Sequence, residues 1–233
     1  MSRHGNRNLL LATALKASSA VMVGYLSLGA AFGLLFAETG YPWPLATMMA
    51  LLVYAGSAQF LAVGLLAART PLLEVGLATL LLNARHLFYG LAMLGPYHHS
   101  GWRKPYLVFG LTDETFAVLG HLQAPSGLDR HDLQLAVTAC NQLAWVAGCT
   151  LGAVAGGRLE RVPESFGFVL TALFVVLLVD QLRRTDRRYP LLIAALAAAV
   201  ALAVGGPDSL LAAGLGLALT GLLIVGWLTQ WQS

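Results

Sequence analysis

Charge is scarce in this chain. Asp, Glu, Lys and Arg make up 11% of its 233 residues, while 58% are hydrophobic. A soluble domain carries about a quarter charged residues, so an ordinary water-exposed globular fold is excluded. A net charge of +3 spread over short loops is no nucleic-acid surface. Cysteine is nearly absent too. Cys140 and Cys149 lie nine residues apart on one predicted helix. At about 100° per residue they face opposite ways, roughly 13 Å apart along the axis. They cannot bridge each other and read as small packing residues. No Gly-x-x-x-x-Gly-Lys-Ser/Thr phosphate loop occurs, so this chain is not expected to use ATP. No acid or Cys accompanies His98-His99, and we expect no metal and no cofactor. No small-residue cleavage site follows the basic opening segment, so the first apolar run is expected to be a retained anchor.

What is present is Leu, Ala, Val and Gly in long runs. A helical span needs about 20 mostly apolar residues. Eight runs qualify: 18–37, 44–68, 71–95, 105–122, 133–156, 164–182, 190–206 and 209–229. The expected fold is all-α, a polytopic integral membrane protein with about eight transmembrane helices, at least one interrupted. Residues 1–17 form a cytoplasmic N-terminal segment and 18–229 a single transmembrane transport domain. Lys and Arg favour the cytoplasmic side. With eight crossings and the N-terminus inside, nine basic residues fall inside and four outside, and Arg85 lies within the membrane. Both termini are then cytoplasmic, and the 95–104 loop is external. A fourth run that enters and returns without crossing is the alternative. Trp227 and Trp231 read as interfacial anchors.

Polar residues inside these runs are costly and therefore informative. Asp113 and Glu114 sit mid-way along the fourth run. One charge at a helix centre costs about 2.5–3.5 kcal/mol, and such residues mark pathways, proton relays or ion pairs. Gly56-Ser57-Ala58-Gln59 lies halfway along the second run. A helix broken there would aim free N–H groups and a positive dipole end at an anion such as an amino-acid carboxylate. The bland alternative is a continuous helix with a small packing patch. Asn83, Arg85, His86 and Tyr89 lie midway along the third run. Arg85 needs an anionic partner, and Asp113 or Glu114 can supply it; the pair either joins two helices or takes part in a transport cycle. The carboxylate left over carries a raised proton affinity beside a like charge. Asn141 and Trp145 share a face of the fifth run. Candidate substrate-binding residues are Gly56, Ser57, Gln59, Asn83, Tyr89 and Asn141. Candidates for the ion pair and proton coupling are Arg85, His86, Asp113 and Glu114.

Two Gly pairs at i, i+4 echo each other: Gly29 and Gly33 in the first run, Gly152 and Gly156 in the fifth. That spacing lets helix backbones approach closely.

At these clusters the chain resembles a known family, the AzlC-like permeases, the large subunit of the branched-chain amino acid exporter. The resemblance rests on Ala55-Gly56-Ser57-Ala58-Gln59-Phe60, on Asn83-Ala84-Arg85-His86-Leu87-Phe88-Tyr89-Gly90, and on Leu111-Thr112-Asp113-Glu114-Thr115-Phe116-Ala117. Gly29-Ala30-Ala31-Phe32-Gly33 and Asn141-Gln142-Leu143-Ala144-Trp145 also fit, and order and spacing agree over residues 15–182. It implies export of branched-chain amino acids across a bacterial inner membrane. It also implies a small membrane partner of about four spans, similar to AzlD. Two other classes compete. One is a membrane accessory subunit that does not itself transport. The other is an intramembrane serine hydrolase using Ser57 and His86, which leaves Arg85 and Asp113 without a role.

Overall fold

A computed structural model describes residues 3–159 and 189–230, together with 168, 171–172, 175–176 and 178–179. The sixth predicted run and the 183–188 basic cluster lie almost wholly outside the described residues. Among the described residues every regular element is helical. In chain order these are α1 (Arg3–Glu38), α2 (Trp43–Leu52), α3 (Gly56–Ala67), α4 (Leu72–Asn83), α5 (Arg85–Ala92), α6 (Lys104–Phe109), α7 (Asp113–His121), α8 (Arg130–Gly156) and α9 (Tyr189–Gln230). Among the described residues three helical stretches are long and apolar enough to cross a membrane: Asn6–Glu38, Arg130–Gly156 and Tyr189–Gly206. The chain divides into two units, Met1–Ala67 with Asn83–Leu170, and Ala68–Leu82 with Thr171–Ser233.

The first unit is built on α1 and α8, which run parallel along most of their length. Tyr25 meets Trp145, Gly29 faces Gly148 and Cys149, Gly33 faces Gly152 and Ala153, and Gly156 faces Ala37. Glycine is required here. A Cβ on Gly29 would lie 2.9 Å from the Cys149 nitrogen, and one on Gly148 would lie 2.7 Å from the Leu26 carbonyl oxygen. The neighbours are backbone atoms, which cannot rotate aside. The two echoed Gly pairs thus line one seam from its two sides, with Gly33 opposite Gly152.

Three of the predicted runs are pairs of short helices. In the second, α2 starts after Pro42, with Pro44 in its first turn. It stops at Leu52, and Tyr54 takes the left-handed φ of 43°. Thr47 lies 2.8 Å from Thr150, and the Leu51 carbonyl accepts from Gln142 Nε2 at 3.3 Å, so α2 descends α8 towards its middle. Gly56 then lies against Trp145, and Phe60 against Phe32, one position before Gly33. The chain has turned back. At ten and twelve residues, α2 and α3 are about 15 and 18 Å long, each half a bilayer core.

The fourth predicted run, expected as one span with two acids at its centre, differs in the same way. α6 ends at Phe109, residues 110–112 are not helical, and α7 begins at Asp113. Thr112 caps α7, its Oγ1 accepting from the Thr115 N–H at 3.2 Å. Asp113 and Glu114 occupy the first turn of a new helix, where the dipole favours anions by about 0.3–1 kcal/mol each. This softens the cost that the sequence alone assigns to them. Both ends of this segment lie at the start of α8. Ser100 Oγ is 2.9 Å from His131 Nδ1, and Arg103 pairs with Asp132. Leu107, Leu111 and Leu119 pack in one cluster with Ala14, Met93, Tyr97, Leu133 and Val137. The turn reaches deeper, with Gly110 against Thr138 and Thr115 against Asn141. The α6–α7 segment is therefore a hairpin. The N-terminal end of α1 lies at its base, since Asn6 Nδ2 donates to the Gly127 carbonyl at 3.0 Å. The 95–104 loop, expected at the end opposite the N-terminus, sits at the same end.

In the second unit α9 breaks at Gly206, with φ 70° and ψ −174°, where a side chain would be strained. Its halves fold back on each other: a Cβ on Gly221 would lie 2.8 Å from Ile193 Cγ2, and one on Gly214 would meet Ala201. The break falls at the sequence Gly205-Gly206-Pro207-Asp208, where the seventh and eighth runs were separated.

Candidate functional site

The turns of the two hairpins approach each other beside the middle of α1 and α8. The Tyr54 ring, in the α2–α3 turn, is 6.2 Å from that of Phe109 at the end of α6. Between them lies a polar network that is buried except at Glu114, which is exposed. Tyr25 Oη donates to Glu114 Oε2 at 2.7 Å and lies 2.7 Å from Thr112 Oγ1. Thr112 Oγ1 donates to Thr115 Oγ1 at 2.9 Å, and Asn141 Nδ2 donates to the same Thr115 oxygen at 3.0 Å. Nearby, Tyr106 Oη donates to Gln142 Oε1 at 2.6 Å, and Trp145 Nε1 donates to Gln59 Oε1 at 2.9 Å. Hydrogen bonds of this kind hold polar groups in an apolar interior, where an unmet group costs about 1–3 kcal/mol.

An aromatic cluster adjoins the network. Tyr25 and Trp145 meet edge to face at 5.4 Å, and Phe32 lies 5.8 Å from Phe60 and 6.5 Å from Trp145. Gly56 opens α3 at this point because a Cβ there would sit 3.1 Å from the Trp145 ring. At the far end of the α1–α8 seam is a cavity of ≈ 390 Å³, lined by residues that include Ala37, Tyr41, Trp43, Ala153 and Arg158.

The structure gathers only part of the predicted set. Gly56, Gln59 and Asn141 lie around Trp145, and Glu114 joins them through Tyr25 and the two threonines. Ser57 is buried in the first turn of α3, and Asp113 is half-buried in that of α7. Asn83, His86 and Tyr89 form a neighbouring group. His86 Nδ1 lies 3.2 Å from the Asn83 carbonyl, and Tyr89 stacks on Phe116 of α7 at 4.9 Å. α4 ends at Asn83 and α5 starts at Arg85, so Asn83 and His86 lie on different helices. The Arg85 side chain, and with it the expected pairing to Asp113 or Glu114, lies outside the described residues.

Tyr25, Tyr54, Thr112 and Thr115 are the residues that sequence reasoning passed over. Tyr25 carried a signal: it stands four positions before Gly29 and eight before Gly33, on the stripe that faces α8.

The described geometry is that of a helical membrane protein with a polar centre, and comparison with known proteins agrees. The AzlC protein family matches residues 20–159. An uncharacterized membrane protein of Helicobacter pylori (strain ATCC 700392 / 26695) is 36% identical over 188 residues, 81% of this chain and 82% of that protein. The branched-chain amino acid transport protein AzlC of Bacillus subtilis (strain 168) is 36% identical over 170 residues, 72% of this chain and 66% of that protein. The inner membrane protein YgaZ of Escherichia coli (strain K12) is 28% identical, with 72% of each chain covered. No solved structure matches. The matched residues run from the first turns of the α1 seam to the end of α8 and take in both hairpins, and on that extent this chain belongs to the AzlC family.

Proposed function

We propose that this chain is a secondary transporter that exports branched-chain amino acids across the bacterial inner membrane, working with a small, roughly four-span partner similar to AzlD. The observation that carries this reading is the polar network where two hairpin turns meet, next to the Tyr25, Phe32, Phe60 and Trp145 rings. Irregular backbone at membrane depth is tolerated where it lines a protein-enclosed path. The polar side suits an amino-acid head, and the rings suit a branched aliphatic side chain. Gly56, Ser57, Gln59 and Asn141 act as substrate ligands, with Asn83 and Tyr89 on the adjoining wall. Asp113, Glu114, His86 and Arg85 supply proton coupling. The cavity lined by Tyr41, Trp43 and Arg158 serves as the outer vestibule.

The topology we propose is six crossings and two hairpins entering from opposite faces, in place of eight crossings. Parity supports it. α1 and α8 are parallel, so the chain between them must cross an odd number of times. With 44–68 and 105–122 each doubling back, 71–95 supplies the single crossing. Charge supports it too. Arg3, Arg7, Lys16, Arg103, Lys104, Arg130, Arg183, Arg184, Arg187 and Arg188 fall inside, against Arg69, Arg158 and Arg161 outside. This ten-to-three bias is steeper than the nine-to-four bias of eight crossings. Both termini remain cytoplasmic.

The deciding experiment is counterflow of labelled leucine into proteoliposomes preloaded with unlabelled leucine, with and without the small partner. Accumulation above that of empty vesicles is expected. Absence of leucine counterflow in both preparations would sink the transport reading.

A further inference from the structure

Two fully buried side chains at the meeting point of the hairpins leave one polar atom each without a hydrogen-bond partner among the described residues: Gln59 Nε2 and Asn141 Oδ1. The orientation of Gln59 follows from its neighbour, and that of Asn141 is as the structure places it. Trp145 Nε1 can only donate, so the Gln59 oxygen faces it and the Gln59 nitrogen is left over. Asn141 gives its nitrogen to Thr115 Oγ1, and its oxygen is left over. The first orphan is a donor and the second an acceptor. Both belong to the surroundings of Trp145: Asn141 stands four residues before it on the same face of α8, and Gln59 is bonded to its indole. Gln59 further lies in the first turn of α3, a twelve-residue helix whose N-terminus carries partial positive charge. Buried groups normally find partners, and an unmet donor and an unmet acceptor are each costly to leave empty.

Building on the transport reading, we propose that Gln59 and Asn141 read the two ends of a zwitterionic α-amino acid. Gln59 Nε2 donates to the substrate carboxylate, and Asn141 Oδ1 accepts from its ammonium. A buried donor on α3 and a buried acceptor on α8, both beside Trp145, match a head group that carries one anionic and one cationic end. Recognition of the head is by neutral amides, which leaves Glu114 and Asp113 available for coupling. Molecules that carry one end of the head leave one orphan unmet. They bind less well than leucine even though the aliphatic chain is the same.

The test uses the full chain in nanodiscs and measures displacement of labelled leucine. The competitors are leucine, 4-methyl-2-oxopentanoate, which lacks the ammonium, and 3-methylbutylamine, which lacks the carboxylate. In the unaltered protein each single-ended competitor should be weaker than leucine by roughly tenfold or more. Equal potency of either one with leucine overturns the proposal, and this arm needs no variant. Gln59→Glu keeps an oxygen for Trp145 but sets a negative charge against the carboxylate. Leucine and the oxo acid should lose roughly tenfold or more, while the amine is retained. Asn141→Asp strengthens the ammonium site, so the amine gains and the oxo acid loses. If both variants insert, elute as the unaltered protein does and keep its order of competitors, the assignment is wrong. Normal discrimination in nanodiscs with no counterflow in proteoliposomes would instead count against the transport reading alone.

Discussion

The α1–α8 seam and the meeting point of the hairpins lie side by side, yet they are built on opposite rules. The seam is regular helix, closed by Gly29, Gly33, Gly148, Gly152 and Gly156, with backbone pressed on backbone. The hairpin turns are broken helix, crowded with hydroxyls and amides, and they leave polar atoms unmet. In lipid, helix association draws on close packing and hydrogen bonds rather than on hydrophobic burial. The seam supplies the first and so tolerates the disorder of hydrogen bonding at the turns. A scaffold without slack lets one small region carry the irregular backbone.

This division can be broken most severely at the seam. Replacing Gly152 by Leu drives a side chain into the Ala30 backbone, and the helices must part. Overpacking typically costs about 1–3 kcal/mol where side chains can yield; here the obstacle is backbone, so loss of folded, detergent-extractable protein is expected. Fluorescence-detected size exclusion reads the outcome. A monodisperse peak at normal yield would mean that the seam is not the scaffold. The polar variants Gln59→Glu and Asn141→Asp should pass the same assay, since the seam is untouched.

A second way to sharpen the comparison is to ask on which side the hairpin bases lie. Ser100 sits against His131 at the start of α8, on the same end as Asn6. Ser100 itself is buried, but its neighbour His99 is exposed, and His99→Cys in a background without Cys140 and Cys149 should react with an impermeant maleimide only after permeabilisation. A cysteine at Arg158 should react from outside in intact cells. External labelling at position 99 would restore eight crossings and undo the parity argument.

How much of this was legible in sequence follows from what each signal measures. Apolar run length located the described helices but not their direction, because ten apolar residues down and twelve back give the same composition as one crossing. The Gly56-Ser57 motif stood at the start of α3, although the turn itself falls at Tyr54, a residue with no breaker chemistry. Thr112 was the readable stop in the fourth run: a Thr followed directly by two acids is the start of a helix, with its cap and its first-turn charges. Taking 105–122 as one helix put those acids mid-span instead. The echoed glycines were visible as motifs, but their lining one seam from its two sides is a tertiary fact. The network partners Tyr25 and Thr115 look like ordinary helix residues until three helices are brought together. Asn141 and Trp145 were seen on one face because i,i+4 spacing is local.

The smallest expected effect compares two helix starts. α7 is capped by buried Thr112, and α8 by exposed Asp129, whose Oδ1 accepts from the Asp132 N–H at 2.9 Å. That backbone hydrogen bond is the main cause holding the Asp129 carboxyl below its ordinary range; the His131 amide, the His131 ring and Arg103 assist against slight desolvation. A carboxyl with a lowered folded-state pKa contributes stability that is fully present above its unfolded value, about 3.9, and is lost as pH falls through the folded value. Asp129→Ala should destabilise the protein near neutral pH by about 1 kcal/mol or less, the usual worth of an exposed N-cap. Asp129→Asn keeps a capping oxygen and should melt close to the unaltered protein at low pH, where both caps are neutral. A modest deficit should open as the pH rises through the folded pKa. Melting curves of the three proteins in one detergent between pH 3 and 7 would check this. A deficit in Asp129→Ala that stays the same at pH 3 would show that the cap acts through its hydrogen bond alone, and that charge at the base of α8 adds nothing.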